Sequence, residues 1–597
     1  MSAPSRNGDS SAHSESCQAS WAEMVYDHPV DDLRPIKVIC IGAGISGIVA
    51  GVRFPQMIKN IDFVIYEKNS DVGGTWLENR YPGVRCDIPS AAYQFTFESN
   101  TQWREYYASG PEIQRYLVNV AKKYGVYQYC RFNRRFDGAH WDEKKGQWLV
   151  RTTNLVSGAE AHDEADVLIT ASGILNRWKW PDIPGWDSYK GKRVHTADWK
   201  DDIKLDENMS VALIGAGSSG VQVLPTIQPL VKHIDHYMKG RNWISPLGAG
   251  FEELAARKVE TGNFEHSQEE LEKFRRNIGS YKEFRQRIED SLNAAQLAAF
   301  MGTQPQKMFQ QMTYESMAAK LKDRPDILSA LIPDFPVGCR RLTPGPGYLE
   351  ACIKENVEYI STSIKKITEQ GIETVDGKER KVDLIICATG FDVSRQGEFD
   401  IVGRNGKTLD EIWQPHPEAY LSICPPHLPN LFMFLGPNGG PGAGSTIHMI
   451  EWVGEYIVKC VQKIQREYIK TMVVSERANK AFSQQVDEYF KKTVFAQPCR
   501  SWYKRGEPTG RLVTPWPGSG VHAHRVLANP RWEDFEYSPM TQTGENAMAW
   551  LGNGLTLAQH EGTATTDYLD TVQSPKVVDP NVDTGDVISF DQGPLPV

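Results

Sequence analysis

The chain lacks the cysteine spacings of common cysteine motifs. Its ten cysteines include no pair at CxxC or CxxxxC spacing, which excludes the redox-active disulfide that two closely spaced cysteines form. A chain of 597 residues does not need a disulfide scaffold. We therefore expect reduced and mostly buried thiols.

Long runs of apolar residues and long runs of basic residues are also missing from the sequence. No stretch approaches the roughly 20 apolar residues of a membrane-spanning helix, and the N-terminal MSAPSRNGDSSAHSES has no apolar segment typical of a signal peptide. The formal net charge is −9 and there is no long basic run, which argues against nucleic acid or an anionic membrane as a partner. We expect a cytoplasmic protein of two or three domains, without a membrane span.

The sequence near the N-terminus predicts a dinucleotide site. The apolar run IKVICI at 36–41 is typical of a buried parallel strand, and it leads directly into Gly42, Gly44 and Gly47, a GxGxxG fingerprint. The first glycine makes a tight turn, the second admits a pyrophosphate and the third allows close helix packing. Glu67 ends the next strand-like run, where a carboxylate binds ribose hydroxyls. Because the strand, the glycine fingerprint, the next strand and its terminal acid follow in this order, the segment is not explained by a glycine-rich turn alone.

A second unit of the same kind begins at SVALIGAGSSG. It places Gly215, Gly217, Ser218 and Gly220 in the same strand context. The following strand-like run again leads to the position where the first unit has its acid. We therefore predict a second dinucleotide site.

The position that corresponds to Glu67 in the second unit is basic. The local sequence MKGRNW contains Lys239, Gly240 and Arg241. Cations there would bind the 2′-phosphate of NADP, which a carboxylate would repel; the alternative is that they are ordinary surface cations. An acidic first site and a basic second one predict FAD and NADPH, and hence a flavin oxidoreductase.

The two units predict an α/β fold with two doubly wound, Rossmann-like domains. ADVLITASG (165–173) and VDLIICATG (382–390) share an acid, an apolar strand and an Ala-Ser/Thr-Gly ending. We interpret them as the strands by which the chain leaves the FAD domain and re-enters it, so that the NADP domain is inserted in the FAD domain. Residues 251–335, rich in charged helix formers, are predicted to form a helical insertion over the site. The predicted boundaries are a flexible tail at 1–34, FAD-binding parts at 35–175 and 381–555, an NADP-binding domain at 176–380 and a C-terminal extension at 556–597.

Two further motifs are specific enough to indicate a family. Gly191, His195 and Trp199 form G-x-x-x-H-x-x-x-W before the second domain, and GGTWLENRYPGVRCD spans 73–87. Together they resemble the fingerprints of the Baeyer–Villiger monooxygenases, which are class B flavoprotein monooxygenases. GCRRLTPGPGYLE, PNLFMFLGPNGGPG and SWYKRGEPTGR resemble other segments of the family, particularly of fungal-type members. The chain departs from the family where Lys239 and Gly240 replace a frequent Arg-Thr pair.

The resemblance implies roles for individual residues. Arg341 would be the catalytic arginine, which stabilises a negatively charged C4a-peroxyflavin and then the ketone adduct. Asp87 would hydrogen-bond Arg341 and shift it between two positions, Arg340 would bind the nicotinamide cofactor, and Trp502 would contact NADP. The other residues implied in cofactor binding are Gly74, Thr75, Trp76, Arg85, Ile88 and Tyr93.

The implied reaction uses NADPH and O2 to insert one oxygen atom next to a ketone carbonyl, giving an ester or lactone. One alternative is a flavin monooxygenase that oxidises amines or thioethers, which carries Phe or Tyr where this chain has Trp199. A flavin reductase would need the missing cysteine pair, and a nucleotide-binding regulator would not need both Asp87 and Arg341. No metal site is predicted.

His195 has no obvious acidic or metal-ligating partner directly beside it in the sequence. A general base or a metal ligand needs such partners. We therefore expect His195 to be packed inside the protein and to couple domain movement to the cofactor, without transferring protons.

Overall fold

The computed structural model describes residues 27–245, 251–259, 262–394, 399–540, 546, 548–566 and 569. The chain divides into two compact units, residues 34–544 and residues 1–33 with 545–597. The smaller unit contains the short helix Leu557–Glu561, which is capped by Thr556. Most of the predicted N-terminal tail and of the predicted C-terminal extension lies outside the described residues.

The first sheet of the larger unit has five parallel strands with Ile36–Ile41 at its centre. The run IKVICI is buried almost throughout, as expected for a parallel strand covered on both faces. The order across the sheet is Leu431–Met433, Val167–Thr170, Ile36–Ile41, Ile61–Tyr66 and Cys130–Arg131.

The second sheet repeats this design with Ser210–Ile214 at its centre. All its pairings are parallel. The order across it is Val357–Ile360, His233–Tyr237, Ser210–Ile214, Leu384–Cys387 and Lys192–His195. Two Rossmann-like sheets, the second built from residues that lie between parts of the first, confirm the predicted fold class.

The strand Leu384–Cys387 corrects one interpretation of the sequence. It pairs with Ser210–Ile214 and Lys192–His195, so segment 382–390 belongs to the second sheet and is not a re-entry into the first domain. The two similar segments are equivalent strands, one in each domain, because each must lie beside the glycine turn of its own sheet. The boundary placed at 380/381 therefore falls too early, since the second sheet extends to residue 387.

Smaller sheets and helices complete the larger unit. The smaller sheets consist of Asp400–Val402, Arg134–Asp142, Gln147–Asn154 and Glu160–Ala165; Ile364–Ile367, Gly371–Thr374 and Glu379–Lys381; and Ile469–Val474 with Phe535–Pro539. The helices outside the insertion are Ile45–Met57, Thr75–Glu78, Gly110–Lys123, Ser218–Ile227, Tyr348–Cys352, Leu409–Ile412, Thr446–Arg466, Glu476–Phe490 and Gly520–Leu527. Among the described residues, no helix combines the length and apolarity needed to cross a membrane.

The segment predicted as a helical insertion is largely helical where it is described. The helix Ile278–Ala294 buries Tyr281, Phe284, Ile288 and Leu292, which follow one another at helical spacing. Its contacts reach the first domain, because Gln94 Nε2 donates to the Tyr281 hydroxyl at 2.7 Å and Arg285 donates to the Phe95 carbonyl at 3.2 Å. The helices of the insertion are Phe251–Ala256, Gln268–Arg276, Ile278–Ala294, Gln304–Lys320 and Pro325–Leu331.

Two cysteines depart from the expectation of reduced thiols. Cys339 and Cys499, which are 160 residues apart, form a disulfide. Seven other cysteines are free and buried. The expectation was wrong for this pair because residues so far apart in sequence leave no spacing motif, and only the folded chain brings them together.

Buried histidines predict a loss of stability in acid. His236 is fully buried, with Nδ1 donating to the Leu213 carbonyl and Nε2 accepting from the Tyr348 hydroxyl, and burial lowers its pKa to about 4. The unfolded chain, with a histidine pKa of about 6.5, binds the proton first as pH falls. The contribution of His236 to the free energy of unfolding is therefore complete above pH ~6.5 and is lost between pH ~6.5 and ~4.

We expect His236→Gln to reduce the difference in unfolding free energy between pH 7 and pH 5 by about 2 kcal/mol. Urea denaturation at the two pH values, followed by circular dichroism, measures this difference. The exposed His140 provides the control His140→Gln. An unchanged pH dependence in His236→Gln would show that His236 is not held neutral.

Candidate active site

Two cavities lie at the carboxyl ends of the two sheets, where open α/β sheets bind ligands. The first has a volume of about 460 Å³, and Gly42 and Glu67 are among the residues that line it. The second has a volume of about 490 Å³, and Gly215 and Lys239 are among the residues that line it. Each cavity thus adjoins one of the glycine fingerprints.

The glycines of the first cavity leave room for a ligand close to the backbone. Gly42 has φ +107°, and a Cβ there would lie 2.6 Å from the Ala171 carbonyl oxygen. Gly44 and Gly74 both line the cavity, and a Cβ on Gly74 would lie 3.0 Å from the Gly44 Cα. Gly47, in the helix Ile45–Met57, packs against Gly42, since a Cβ on Gly47 would lie 2.0 Å from the Gly42 oxygen. This cradle fits a pyrophosphate at a helix N-terminus.

Glu67 supplies the acid of the first cavity. Its side chain is 4% exposed; Oε2 accepts from the Ala43 amide at 2.7 Å and Oε1 accepts from the Asn69 amide at 2.8 Å. Burial raises the pKa of this carboxyl group. Its place at the end of the second strand suits ribose hydroxyls, so the residues of this cavity fit FAD.

The segment after Gly74 does not contact the first cavity as uniformly as predicted. Thr75 and Tyr93 line it, but Trp76 does not, because its buried indole Nε1 donates to the Tyr93 hydroxyl at 3.1 Å. Trp76 therefore supports Tyr93 from behind. Ile88 and Arg85 also lie outside the cavity lining, and the Arg85 guanidinium binds Glu105 at 2.8 Å.

The second cavity contains most of the residues predicted to hold NADP. Gly215, Gly217, Ser218, Lys239 and Gly240 line it. Gly220 lies behind them, where a Cβ would lie 2.1 Å from the Gly215 oxygen, so this third glycine serves helix packing. The residues of this cavity fit a second dinucleotide.

The cations of the second cavity differ from those expected. Arg241 is outside the lining, and its Nη1 donates to the Ile332 carbonyl at 3.2 Å. Arg340, which the resemblance assigned to the nicotinamide cofactor, and Arg500, which was not expected, line the cavity together with Lys239. Burial lowers the pKa of Arg340; Asp334 opposes this shift, and the nearby Arg500 adds to it with a smaller effect. A phosphate between these cations would relieve their repulsion.

Arg500 was missed by sequence reasoning. It is 261 positions from Lys239 along the chain, and no spacing connects the two. The available signal was its place two residues before Trp502, a residue already assigned to the cofactor.

Arg341 and Trp502 line both cavities. Arg341 is held by Asp87 through two parallel hydrogen bonds, Nε to Oδ2 and Nη2 to Oδ1, each of 2.7 Å. Its side chain is still 34% exposed, and the Asp87 carboxylate raises its pKa. A permanently charged, rigidly oriented guanidinium therefore stands where the two cavities meet.

The segment that carries Asp87 is fixed to the second domain. The Tyr81 hydroxyl donates to Gln222 Oε1 at 2.8 Å, and Gln222 Nε2 donates to the Arg85 carbonyl at 3.1 Å. Gln222 lies on the helix Ser218–Ile227, which follows the second glycine fingerprint. The position of Asp87 thus depends on both domains.

His195 is packed inside the protein, as predicted. It stacks on Trp178 with ring centroids 4.6 Å apart, its Nδ1 accepts from the Ala197 amide, and its Nε2 donates to Thr389 Oγ1 at 3.2 Å. Burial lowers its pKa to about 4. A neutral ring with both nitrogens in use is unsuited to proton transfer, and its coupling to domain movement stays a prediction.

Comparisons with known proteins extend over both domains. The family model of the NAD(P)-binding Rossmann-like domain matches residues 40–109. The chain is 38% identical to the FAD-binding monooxygenase moxY of Dothistroma septosporum over 540 residues, 89% of this chain and 84% of that protein. It is 31% identical to a Baeyer-Villiger monooxygenase of Pseudomonas aeruginosa over 487 residues, 81% of this chain and 88% of that one. Cyclohexanone monooxygenase from Rhodococcus sp. Phi1 bound to NADP+ superposes with a TM-score of 0.72 at 25% identity, over 85% of this chain and 100% of that one.

The cation set of the second cavity predicts how cofactor preference responds to mutation. Arg500→Ala should weaken NADPH binding about 10-fold and leave NADH binding nearly unchanged, because a charge-assisted contact to the 2′-phosphate is lost. Arg241→Ala removes a charge that points elsewhere and should have little effect. Titration calorimetry with both dinucleotides measures this, and equal effects of the two variants would contradict the assignment of Arg500.

Proposed function

The chain belongs to the class B flavoprotein monooxygenases, the family that includes the Baeyer–Villiger monooxygenases, and from this membership we propose that it inserts one atom of O2 next to the carbonyl of a small-molecule ketone. FAD and NADPH are its cofactors. The proposed product is an ester or lactone, and the proposed location is the cytoplasm. The observation that supports the reaction most strongly is the Asp87-bound Arg341 at the meeting point of the two cavities.

Bound FAD, reduced by NADPH, supplies the activation of O2. In the net reaction one oxygen atom enters the ketone between the carbonyl carbon and a neighbouring carbon, and the other leaves as water. NADPH supplies one hydride, which carries the two electrons, and one proton is taken up from solvent. The chain's own residues have to bind the two dinucleotides, orient the ketone and stabilise negative charge on its carbonyl oxygen.

Arg341 is suited to that last task. An arginine has five N–H donors, and Asp87 uses one on Nε and one on Nη2. Asp87 leaves the two hydrogens of Nη1 and the second hydrogen of Nη2, and one of these donors can bind a carbonyl oxygen that gains negative charge. Since the donor is already oriented, little reorganisation is needed as the charge develops.

Trp502 and Tyr503 complete the surroundings of Arg341. Trp502 lines both cavities, and its ring lies 4.8 Å from the ring of Tyr503. Tyr503 is buried and contacts Arg341, and burial raises its pKa, so its hydroxyl stays protonated. These aromatic groups exclude water on one side of the guanidinium and strengthen its electrostatic effect.

Turnover of a panel of ketones under isotopically labelled O2 tests the proposed reaction. We expect one labelled atom in a ring-expanded lactone or ester, one in water, and one NADPH consumed per product, all measured by mass spectrometry and NADPH absorbance. Labelled N-oxides or sulfoxides from amines or thioethers, with no ester from any ketone, would contradict the proposal.

Substitution of Arg341 should separate chemistry from cofactor binding. Arg341→Ala should retain FAD, seen in the flavin absorption spectrum, and lose about 100-fold or more in ester formation. Arg341→Lys keeps the charge but loses the paired hydrogen bonds to Asp87, so we expect an intermediate rate. Arg275→Ala, an exposed arginine on the insertion, is the control. Ester formation by Arg341→Ala at the wild-type rate would contradict the assignment.

A further inference from the structure

The Cys339–Cys499 disulfide joins two loops that carry cofactor-site residues. Cys339 directly precedes Arg340 and Arg341, and Cys499 directly precedes Arg500. Neither cysteine lies in a helix or strand, and the two Cα atoms are 6.5 Å apart. The bridge is therefore a covalent connection between two walls of the second cavity, one residue away from the cations on each wall.

Lys504 lies beside this pair. It is 1% exposed, and its Nζ donates to the carbonyls of Gln497 at 2.5 Å and Pro508 at 3.2 Å. The same Nζ is 3.8 Å from Cys499 Sγ and 4.0 Å from Cys339 Sγ. A buried ammonium group in contact with two sulfurs stabilises a thiolate when the pair is reduced, and the thiolate is the reactive form of cysteine.

Burial does not distinguish Cys339 and Cys499, which are 0% and 3% exposed, from the other described cysteines; the adjacent Lys504 ammonium does. The other thiols are buried and free, and burial is the largest cause that raises the pKa of each one. Such thiols stay protonated and unreactive. They are Cys40, Cys86, Cys130, Cys352, Cys387, Cys424 and Cys460.

We propose that Cys339 and Cys499 are a reversible, peroxide-responsive modification site, whose closed disulfide holds the Arg340–Arg341 loop against the Arg500–Trp502 loop and thereby tightens NADP binding. A disulfide in a cytoplasmic protein is usually a transient, redox-responsive one. The proposal rests on the proposed function for the identity of the bound dinucleotide, for the cytoplasmic location and for the flavin as the source of peroxide.

The oxidant is hydrogen peroxide, which reduced flavin and O2 release when no substrate takes up the oxygen. One thiolate attacks a peroxide oxygen, the O–O bond breaks, and hydroxide leaves and is protonated to water. The second thiol attacks the resulting sulfenic sulfur, the S–S bond forms and a second water leaves. Two thiols lose two electrons and peroxide gains them; a small thiol reverses the step by exchange.

The closed disulfide affects the affinity for NADP through the two loops that it joins. Arg340 lies over the Phe335 ring at 4.6 Å, and its Nη1 donates to the Arg241 carbonyl at 3.0 Å, so its guanidinium is oriented by contacts that do not involve the Arg500 loop. The position of Arg500 relative to that loop depends on the bridge and on Lys504. Fixing both loops before binding reduces the ordering cost of binding, which increases affinity.

The test uses the whole wild-type enzyme, reduced with dithiothreitol or oxidised with hydrogen peroxide that catalase then removes. Non-reducing peptide mass spectrometry detects the disulfide, and titration calorimetry measures the Kd for NADP+. We expect the Cys339–Cys499 peptide pair only after oxidation, and NADP+ bound about fivefold more tightly in the oxidised enzyme. The double variant Cys339→Ser, Cys499→Ser should have the reduced-state Kd under both conditions, and Cys130→Ala should respond as wild type.

Two results would overturn the proposal in different ways. A missing peptide pair after oxidation would show that the site does not form, whatever the reaction of the enzyme. A peptide pair with an unchanged Kd would show that the bridge does not position the cavity. Failure of NADP+ to bind in either state would overturn the coupling together with the proposed function, while the mass measurement would still decide whether the bridge forms.

Lys504→Met tests the activating contact. It removes the ammonium group but keeps most of the side-chain volume, so we expect bridge formation by peroxide at neutral pH to slow because less thiolate is present. The rate is read by the same peptide pair, sampled over time. An unchanged rate would contradict the role given to Lys504.

Discussion

The ion pair between Asp87 and Arg341 is the contact on which the arrangement of the site depends. Asp87 lies on a segment of the first domain that is hydrogen-bonded to Gln222 of the second, whereas Arg341 lies in the loop that follows the helical insertion. Their two 2.7 Å hydrogen bonds place one guanidinium in the walls of both cavities. The relative position of the two domains therefore determines where the charge stands, and a reaction that needs both cofactors can be controlled at a single residue.

The two domains are built on the same local constraint. In each, the first glycine of the fingerprint has φ +107° and lies against an alanine carbonyl, Gly42 against Ala171 and Gly215 against Ala388. Each alanine directly follows a buried strand that pairs with the central strand of its own sheet. The close approach leaves no space for a side chain, and it explains why the two segments ending in Ala-Ser/Thr-Gly look alike in the sequence.

Features that depend on local backbone geometry were predictable from the sequence. The strand Ile36–Ile41 has the predicted bounds, and Glu67 lies at the end of the next strand as expected, because glycine turns and apolar runs act over short distances. The contact between Asp87 and Arg341 followed from motif resemblance, which carries information over long sequence separations.

Features that depend on side-chain direction or on distant loops were not predictable. Whether Trp76 faces a cofactor or Tyr93 is a matter of rotamer and packing, and the sequence has no pattern for it. Arg241 was expected in the second cavity, but a guanidinium on a long side chain can reach a carbonyl such as that of Ile332 instead, and Arg500, for which nothing was expected, lines the cavity. The Cys339–Cys499 pair is likewise visible only once the fold brings the two loops together.

A double-mutant cycle on Asp87 and Arg341 tests the central claim most directly. Ester or lactone formed per unit time by wild type, Asp87→Ala, Arg341→Ala and the double variant is measured with the same ketone, at equal FAD content. If Asp87 acts by holding Arg341, Asp87→Ala lowers the rate of product formation in the wild-type enzyme. Adding Asp87→Ala to the Arg341→Ala variant then changes the rate of that variant by no more than about a factor of two. Independent losses that multiply in the double variant would show that Asp87 does not act through Arg341, and would contradict the account.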